Sequence, residues 1–197
     1  MSLIKNNNNM KKILINHLSD FNLSKLKNRE INFFNNKKIL ITGASGVIGI
    51  NLLFFFNKLN IKKKMNINID ATYNTSIFNF VLDFFKKDKK IKFIKIDLTS
   101  KKIKKEKKYD LIFHCAGYGQ PAKFLKFKSS VYKLNSNVII DLKDNLKKKG
   151  KFIYLSTTEI YSGNEKKCNE ESIGYTDATH PRSSYIDSKR FGESYVV

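Results

Sequence analysis

The chain has few cysteines and no apolar run long enough to cross a membrane. Cys115 and Cys168 are too few for a disulfide framework and lack the spacing of metal ligands. The richest apolar stretch ends at Asn57 and Lys58, well short of the roughly 20 residues that a membrane helix needs. Residues 1–10 lack the apolar segment and the small-residue cleavage site of a signal peptide. We therefore expect a cytoplasmic protein with no metal site and no membrane partner.

Acidic residues and arginines are also scarce. Lys and Arg total 38 against 17 for Asp and Glu, which gives a formal net charge of +21. A charge this basic is found in nucleic-acid-binding proteins. The lysines are spread along the whole chain, however, and they accompany many asparagines and isoleucines, as an AT-rich coding sequence would produce. We therefore expect no nucleic-acid partner, although the charge would attract anionic substrates.

The length of 197 residues suits one domain with a sizeable core. Residues 1–36 form an N-terminal extension, in which Ser2 to Asn9 is predicted to be disordered. Lys11 to Leu26 has the apolar spacing of one or two short amphipathic helices. Residues 37–197 alternate apolar strands with helices and are predicted to form a dinucleotide-binding domain.

The most informative motif begins at Lys37 and ends at Gly49. Ile39 to Ile41 is a continuous apolar run, typical of a strand buried on both faces. Glycines follow at three-residue intervals, and an apolar stretch long enough for a packed helix comes next. Such a turn lets backbone N–H groups approach a phosphate, and the helix N-terminus attracts its charge. We expect a dinucleotide pyrophosphate over this turn, contacted by Gly43, Ser45, Gly46, Val47, Ile48 and Gly49.

Further strand and helix patterns predict a doubly wound parallel sheet of the Rossmann type, an α/β fold. The predicted spatial order is 3-2-1-4-5, for strands near residues 38–42, 66–73, 91–96, 110–115 and 151–156. A helix is predicted over Ser76 to Lys87. A long helix is predicted over Ser130 to Lys147, ended by Gly150 as a C-cap.

Ligands bind open α/β sheets at the carboxyl ends of the strands, so side chains there are candidates for the site. Asp70 is the only carboxylate of the second strand, whose closing residue reads the adenosine ribose, but it falls early in that strand. The closing residues 72–74 are not acidic, so the predicted cofactor is NAD with NADP left open. Gln120 lies in the loop after the fourth strand and is a candidate for substrate contact.

The chemistry is predicted where the fifth strand ends and in the following helix. Tyr185 precedes Lys189 by one helical turn, so both side chains would lie on one face. A lysine ammonium beside a phenol favours the phenolate, which can take a proton from a substrate hydroxyl while hydride leaves for the cofactor. A hydroxyl from the strand end, assigned to Thr157, would orient the same oxygen. The tyrosine–lysine pair alone is a weak signal, since a core tyrosine and a surface lysine share this spacing.

Together these motifs resemble the NAD-dependent epimerase/dehydratase family, the extended short-chain dehydrogenases that act on nucleotide sugars. The resemblance covers about residues 37–197. It implies that Asn135 holds the active-site backbone and a water of the proton relay, and that Lys189 binds the nicotinamide ribose. His114 is interpreted as structural. Further cofactor contacts are implied beside the adenine for Asp97 and Leu98, and along the nicotinamide-side ribose for Cys115, Ala116 and Gly117.

The resemblance also implies a reaction. Tyr185 would begin the oxidation of the sugar at C4, Thr157 would hold the C4 oxygen, and Glu159 would assist the step on the 4-keto intermediate. Ser156-Thr157-Thr158-Glu159 is most similar to the UDP-glucuronate decarboxylase and dTDP-glucose dehydratase branches, in which the strand-end residues flank the sugar. Thr158 stands where the dehydratase carries an aspartate, which favours the decarboxylase.

Members of the family continue beyond the Tyr-x-x-x-Lys helix into a C-terminal lobe that binds the substrate, and we expect this lobe to be missing from the 197 residues. The full-length protein is expected to be a homodimer with a nucleotide-sugar substrate. Two alternatives stay open: a catalytically incomplete dinucleotide-binding fragment, and a regulatory NAD(P)-binding protein. The regulatory protein would have no need of Thr157, Tyr185 and Lys189 together.

Overall fold

The structure, a computed structural model, describes residues 2–164 and 167–197. At its centre is a five-stranded sheet in which all neighbouring strands are parallel. The order across the sheet is β3-β2-β1-β4-β5, which confirms the predicted doubly wound topology. The strands are β1 (Lys38–Thr42), β2 (Asn68–Tyr73), β3 (Ile91–Lys95), β4 (Tyr109–His114) and β5 (Leu146–Tyr154).

Helices cover both faces of the sheet, and β1 shows how two cores arise. Successive residues of a strand point to opposite faces. Ile39 and Ile41 therefore pack in one core and Leu40 in the other. Within the described residues, no helix is both long and apolar enough to cross a membrane. The helices are α1 (Ser2–Ser19), α2 (Asn28–Asn32), α3 (Val47–Lys63), α4 (Asn79–Phe85), α5 (Pro121–Lys126), α6 (Lys128–Asn135), α7 (Asn137–Lys143) and α8 (Ser183–Val196).

The long helix predicted over residues 130–147 is wrong. Ser136 has φ −131° and ψ −84°, which separates α6 from α7, and β5 already begins at Leu146. Apolar spacing could not reveal the break, because residues on both sides of it pack into the same core. Gly150 is not a helix C-cap. It lies within β5, where the pairing with β4 is irregular, and a Cβ there would come within 2.8 Å of the Leu146 side chain.

The N-terminal arm, residues 2–36, contains α1 (Ser2–Ser19) and α2 (Asn28–Asn32). The disorder predicted for Ser2 to Asn9 stays a prediction. The arm covers α3, whose sequence is apolar around its whole circumference, so that the sheet buries only part of it. Phe21 and Phe34 meet Phe55 of α3 edge to face, with ring centres 5.5 and 6.3 Å apart. The arm thus completes the core that contains Ile39 and Ile41.

Ile31 anchors the arm and is 2% exposed. We expect Ile31→Ala to lower the free energy of unfolding by about 2–4 kcal/mol, because the variant loses buried apolar surface and leaves a cavity. Urea unfolding followed by circular dichroism measures the change. Ile13→Ala is the control, since Ile13 is 56% exposed and its loss should cost less than about 0.5 kcal/mol. Equally small losses in both variants would show that the arm is not part of the folded core.

Candidate active site

The glycine turn connects β1 to α3 at the carboxyl edge of the sheet. Gly43 has φ +64°, in the left-handed region that favours glycine. A Cβ there would lie 2.7 Å from the backbone of Cys115 and Ala116, in the loop after β4. A Cβ at Gly49 would lie 2.4 Å from the carbonyl oxygen of Gly43. Both positions require glycine because backbone, rather than a movable side chain, occupies the space.

The first turn of α3 presents backbone N–H groups to a ligand. Gly46 is the N-cap, so no side chain caps this helix, and its first turn holds no acidic residue. Val47 and Ile48 are 80% and 50% exposed, although both are large and apolar. Backbone N–H groups at a helix N-terminus attract phosphate, so the residues of this turn fit the pyrophosphate of a dinucleotide. Contacts of Ser45, Val47 and Ile48 with the cofactor stay a prediction.

Asp70 lies inside β2, three residues before the end of the strand. It pairs with Leu40 in the middle of β1 and is 8% exposed. Its carboxylate accepts hydrogen bonds from Lys107 Nζ at 2.9 Å and from the Tyr109 hydroxyl at 2.7 Å. Both partners lie at or before the start of β4, so Asp70 fixes the connector between β3 and β4. Burial, and then the bond to Asp70, raise the pKa of Tyr109. Contact of Asp70 with a cofactor stays a prediction.

A small cavity of about 250 Å³ opens beside the glycine turn, at the end of β2. Its lining supplies hydroxyl groups and an aromatic ring but no carboxylate, and consists of Ser45, Thr75, Ser76, Ile77 and Phe78. Ser45 was predicted as a cofactor contact, whereas residues 75–78 were missed because only residues 72–74 were considered at this strand end. Their types are common in ordinary loops, so the sequence carried no signal for them.

Asp97 caps the turn after β3. Its Oδ1 accepts hydrogen bonds from the backbone N–H and the hydroxyl of Thr99, at 2.9 and 2.8 Å. A carboxylate that accepts from a backbone N–H two residues later stabilises a turn. Leu98 lines a groove of about 400 Å³ between this turn and α6–α7. Contact of Asp97 and Leu98 with adenine stays a prediction.

His114 is a structural residue that positions the loop after β4. Its Nε2 lies 2.9 Å from the carbonyl oxygen of Leu134 and must donate, because a carbonyl only accepts. Nδ1 therefore accepts from the Thr42 hydroxyl at 2.8 Å, and Thr42 Oγ1 accepts from the Ala116 backbone N–H at 3.2 Å. This relay holds the segment Cys115 to Gly117 against the end of β1. Burial raises the pKa of the Cys115 thiol to about 12.

The buried position of His114 predicts sensitivity to acid. Burial lowers its pKa from 6.5 to about 4, so the unfolded chain binds a proton that the folded chain does not bind between those values. Stability due to neutral His114 is therefore complete above pH 6.5 and is lost as the pH falls toward 4. We expect a loss of about 3 kcal/mol from this group. Unfolding free energies of the unmodified chain and of His114→Gln should converge by that amount between pH 7 and 4; a constant difference would contradict the assignment.

α8 brings the predicted tyrosine and lysine to the carboxyl edge. The Tyr185 ring is 7% exposed and stacks on Phe124 of α5, with centres 4.3 Å apart and planes at 5°. The Lys189 ammonium lies 6.0 Å from the centre of the Tyr185 ring. A Cβ on Gly117 would lie 4.0 Å from the same ammonium, so the loop after β4 passes close by. Convergence of the Tyr185 and Thr157 hydroxyls stays a prediction.

Lys189 is 6% exposed and holds its charge in an unusual setting. Its Nζ donates a 2.6 Å hydrogen bond to the Leu155 carbonyl at the end of β5. It also lies 4.6 Å from the centre of the Tyr154 ring, a cation–π distance. Burial lowers the pKa of Lys189 to about 8, against smaller opposing effects of Glu193 and Cys115. The ammonium therefore stays charged at neutral pH but loses its proton near pH 8, well below the usual range of lysine.

Asn135 links three elements behind Lys189. Its Nδ2 donates to the Ser188 hydroxyl at 3.0 Å, and its Oδ1 accepts from the Tyr154 hydroxyl at 3.1 Å. Ser188 in turn donates to the Tyr185 carbonyl at 2.9 Å. Tyr154 packs where α8 carries Gly192, at which a Cβ would lie 2.5 Å from the tyrosine ring. Asn135 thus joins α6, α8 and β5, while its contact with a cofactor stays a prediction.

The end of β5 forms the wall of a cavity of about 330 Å³. Thr157 Oγ1 accepts from the Glu159 backbone N–H at 3.3 Å and begins the short 3-10 turn Thr158–Tyr161. The Glu159 carboxylate pairs with Arg182 at 3.0 Å. The cavity is lined by Thr158, Glu159, Tyr161, Ser162, His180 and Arg182. Hydroxyl groups, a carboxylate and a guanidinium therefore face one space.

Contacts between α8 and the end of β5 assemble the site. Lys189 binds the Leu155 carbonyl, and the Arg190 guanidinium binds the Ile160 carbonyl at 2.7 Å. Sequence analysis missed Phe124, Arg182 and Arg190. The two arginines flank the Tyr-x-x-x-Lys motif in a chain with little arginine, and this position was a signal that could have identified them. Gln120 is the N-cap of α5 and is exposed, so its substrate contact stays a prediction. Among the residues described, no group of three His, Cys, Asp or Glu side chains is placed to hold a metal ion.

The sheet order and the glycine turn at the carboxyl end of β1 define a dinucleotide-binding domain of the Rossmann type. A family model described as the NAD dependent epimerase/dehydratase family matches residues 39–197. The chain belongs to this family, whose cofactor is NAD. The match begins within β1, so the arm lies outside it.

Two curated relatives are similar over most of the chain. A dTDP-D-glucose 4,6-dehydratase of Dictyostelium discoideum is 29% identical over 176 residues, which are 81% of this chain and 39% of the relative. The bifunctional polymyxin resistance protein ArnA of Wigglesworthia glossinidia brevipalpis is 30% identical over 170 residues, 75% of this chain and 23% of the relative. The chain therefore spans well under half the length of these proteins.

Solved structures share the fold. The UDP-Glc/GlcNAc 4-epimerase of Campylobacter jejuni aligns with a TM-score of 0.59 and 22% identity, over 80% of this chain and 47% of that one. A dTDP-glucose 4,6-dehydratase of Bacillus anthracis, determined in complex with NAD, gives a TM-score of 0.54 and 16% identity. The alignment covers 80% of this chain and 48% of that one. At these identities the likeness concerns the fold.

Proposed function

We propose that residues 37–197 are the cofactor-binding and catalytic part of an NAD-dependent enzyme that modifies a nucleotide sugar through transient oxidation at C4. One observation carries the proposal: the Lys189 ammonium sits between the β5 end, the Tyr185 ring and the loop at Gly117. A regulatory dinucleotide-binding protein would need the glycine turn but not this convergence. Family membership and the names of the relatives support the proposal.

Each residue has a distinct task in the proposed reaction. Tyr185, as phenolate, takes the proton of the C4 hydroxyl, and the positive charge of Lys189 favours that phenolate. Thr157 orients the same oxygen. When bound, NAD accepts the hydride from C4 and later returns it. Glu159 assists the step on the resulting ketone, and its ion pair with Arg182 keeps the carboxylate at the cavity wall.

We propose decarboxylation of a nucleotide-linked uronate as the reaction. Thr158 offers no carboxyl group to protonate a departing hydroxyl, whereas a C4 ketone can itself accept the electrons released by loss of CO₂. The alternative is a catalytically incomplete fragment that only binds the dinucleotide. The short span of the chain relative to its relatives favours this alternative for residues 1–197 taken alone.

A homodimer is proposed for the longer protein. α6 and α8 pack against each other, and aromatic side chains stay exposed on these two helices. Tyr132 is 44% exposed, Phe191 39% and Tyr195 38%. Phe191 and Tyr195 stack with ring centres 5.9 Å apart, and exposed aromatic side chains are enriched at contacts between subunits. Analytical ultracentrifugation measures the state of association.

Turnover tests the proposal. A longer polypeptide, with a C-terminal lobe following Val197, should release CO₂ from UDP-glucuronate in the presence of NAD. Tyr185→Phe in that polypeptide should lower kcat about 10²- to 10⁴-fold, because the proton acceptor is removed and the ring is retained. Tyr195→Phe, an exposed tyrosine of the same helix, is the control and should leave kcat unchanged. Full turnover by Tyr185→Phe would refute the assignment, and NAD binding without any turnover would favour the fragment.

A further inference from the structure

About half of the lysines, 17 of 35, form clusters at one edge of the sheet. A lysine cluster stands before or near the start of each strand, at residues 37–38, 62–64, 86–90, 104–108 and 147–151. Because all five strands are parallel, all of these clusters lie at the amino edge. Four of the five strands contain no lysine after these clusters, and only β3 carries lysines along its length. The parallel sheet therefore gathers lysines from five separate stretches of the sequence at one edge.

Contacts along the amino edge show that neighbouring clusters lie side by side. The Lys90 ammonium bonds to Asn66, which bonds to Asn36 at 2.7 Å. The Lys38 backbone N–H donates to Asp110 at 2.8 Å, and Lys147 Nζ donates to the same carboxylate at 2.9 Å. These bonds connect the starts of all five strands. The clusters thus form one row, which we call the lysine row.

Helix dipoles account for only part of the lysine row. Lysines are favourable at helix C-termini, which explains residues 62–64 at the end of α3 and residues 86–90 directly after α4. Residues 104–108 follow a connector without a helix, and residues 147–151 lie inside β5. Lys148 and Lys149 are exposed there, where the strand departs from regular pairing with β4. Like charges placed this close repel each other, so a partner of opposite charge would stabilise the edge.

We propose that the lysine row binds the phosphate backbone of a nucleic acid, without regard to base sequence. Strands lie about 5 Å apart, so the row is roughly 20 Å long and one sheet layer thick. A narrow row of point charges matches a linear chain of phosphates. Arginine, the main reader of base edges, is absent from the row. Because the row lies opposite the glycine turn, nucleic acid and dinucleotide can bind at the same time.

Fluorescence anisotropy with a labelled 20-nucleotide duplex tests the proposal on the 197-residue chain. One variant removes four exposed lysines of the row, at positions 63, 89, 148 and 149, by Lys→Gln. The matched control removes four exposed lysines of α5 and α6, at positions 123, 126, 128 and 133. The row variant should bind at least about tenfold more weakly near 0.1 M salt, with a salt slope shallower by about 3. The control should stay within about threefold, and circular dichroism shows that both variants are folded.

Two outcomes would overturn the proposal. Equal losses in the two variants would mean that net charge alone attracts the duplex and that no face is used. A second experiment measures binding of the same variants to vesicles of phosphatidylcholine and phosphatidylserine. Tighter binding to these vesicles than to the duplex, with the same dependence on the row lysines, would assign the row to an anionic membrane surface instead.

Discussion

Gly49→Ala should prevent the domain from folding, whereas Gly46→Val should leave it folded and abolish NAD binding. The two glycines belong to one motif but meet different obstacles. A Cβ at Gly49 would lie 2.4 Å from the Gly43 carbonyl oxygen and 2.7 Å from the Ala44 Cα. Those atoms are backbone at the end of β1, so α3 would have to move away from the sheet, at a cost of several kcal/mol.

A side chain at Gly46 meets a much smaller obstacle, which a shift of a few tenths of an ångström relieves. The φ of −80° at Gly46 suits any residue, and the nearest atom to a Cβ is the Gly43 carbonyl oxygen at 3.3 Å. A valine would instead occupy the approach to the first N–H groups of α3, where the pyrophosphate is expected. Calorimetric titration with NAD and thermal unfolding separate the two effects. Folded Gly49→Ala, or undiminished NAD binding by Gly46→Val, would show that the motif is placed wrongly.

Lys189→Met should stabilise the chain while it removes the group that supports Tyr185. Burial lowers the pKa of Lys189 from 10.5 to about 8, so the folded state bears a cost for keeping the ammonium charged. A shift of that size corresponds to about 3 kcal/mol. Loss of the bond to the Leu155 carbonyl offsets about 1 kcal/mol of the gain. The melting temperature at pH 7 should therefore rise by about 4–8 °C.

The pH dependence of the stabilisation by Lys189→Met tests whether burial of the ammonium is its cause. Below pH 8 Lys189 is charged in the folded and unfolded states, and the full cost of burial applies. Between pH 8 and 10.5 the folded state loses its proton first, so the cost declines and the advantage of Lys189→Met should disappear. Melting curves from pH 6 to 10.5 measure this. Lys143→Met, on the half-buried Lys143, is the control and should show no such trend. A destabilised Lys189→Met at pH 7 would contradict the account.

Features with short-range causes were predictable from the sequence. The run from Ile39 to Gly49 carries its own strand, turn and helix signals, and the alternation of elements was enough for the sheet order. His114 was interpreted as structural, but its relay through Thr42 to Ala116 depends on two neighbouring strands and could not be seen in one segment. The same holds for Asp70, whose partners follow it by more than thirty residues.

Other errors have a physical origin as well. Apolar spacing is continuous through Ser136, so periodicity extended one helix across the break. About half of the lysines recur with the period of the α/β repeat, and only the parallel sheet places them along one edge. Long-range placement, rather than residue type, was the missing information in each case.

The attachment of α8 to β5 has a consequence for how such a site can evolve. Lys189 and Arg190 bind main-chain carbonyls at the end of β5, those of Leu155 and Ile160. Mutation of the residues that supply those carbonyls leaves the acceptors in place. The neighbouring side chains of Thr158 and Glu159 are therefore free to diversify while the tyrosine–lysine pair keeps its position. The residues that carry out the oxidation step can therefore be retained in evolution while the residues for the following step change.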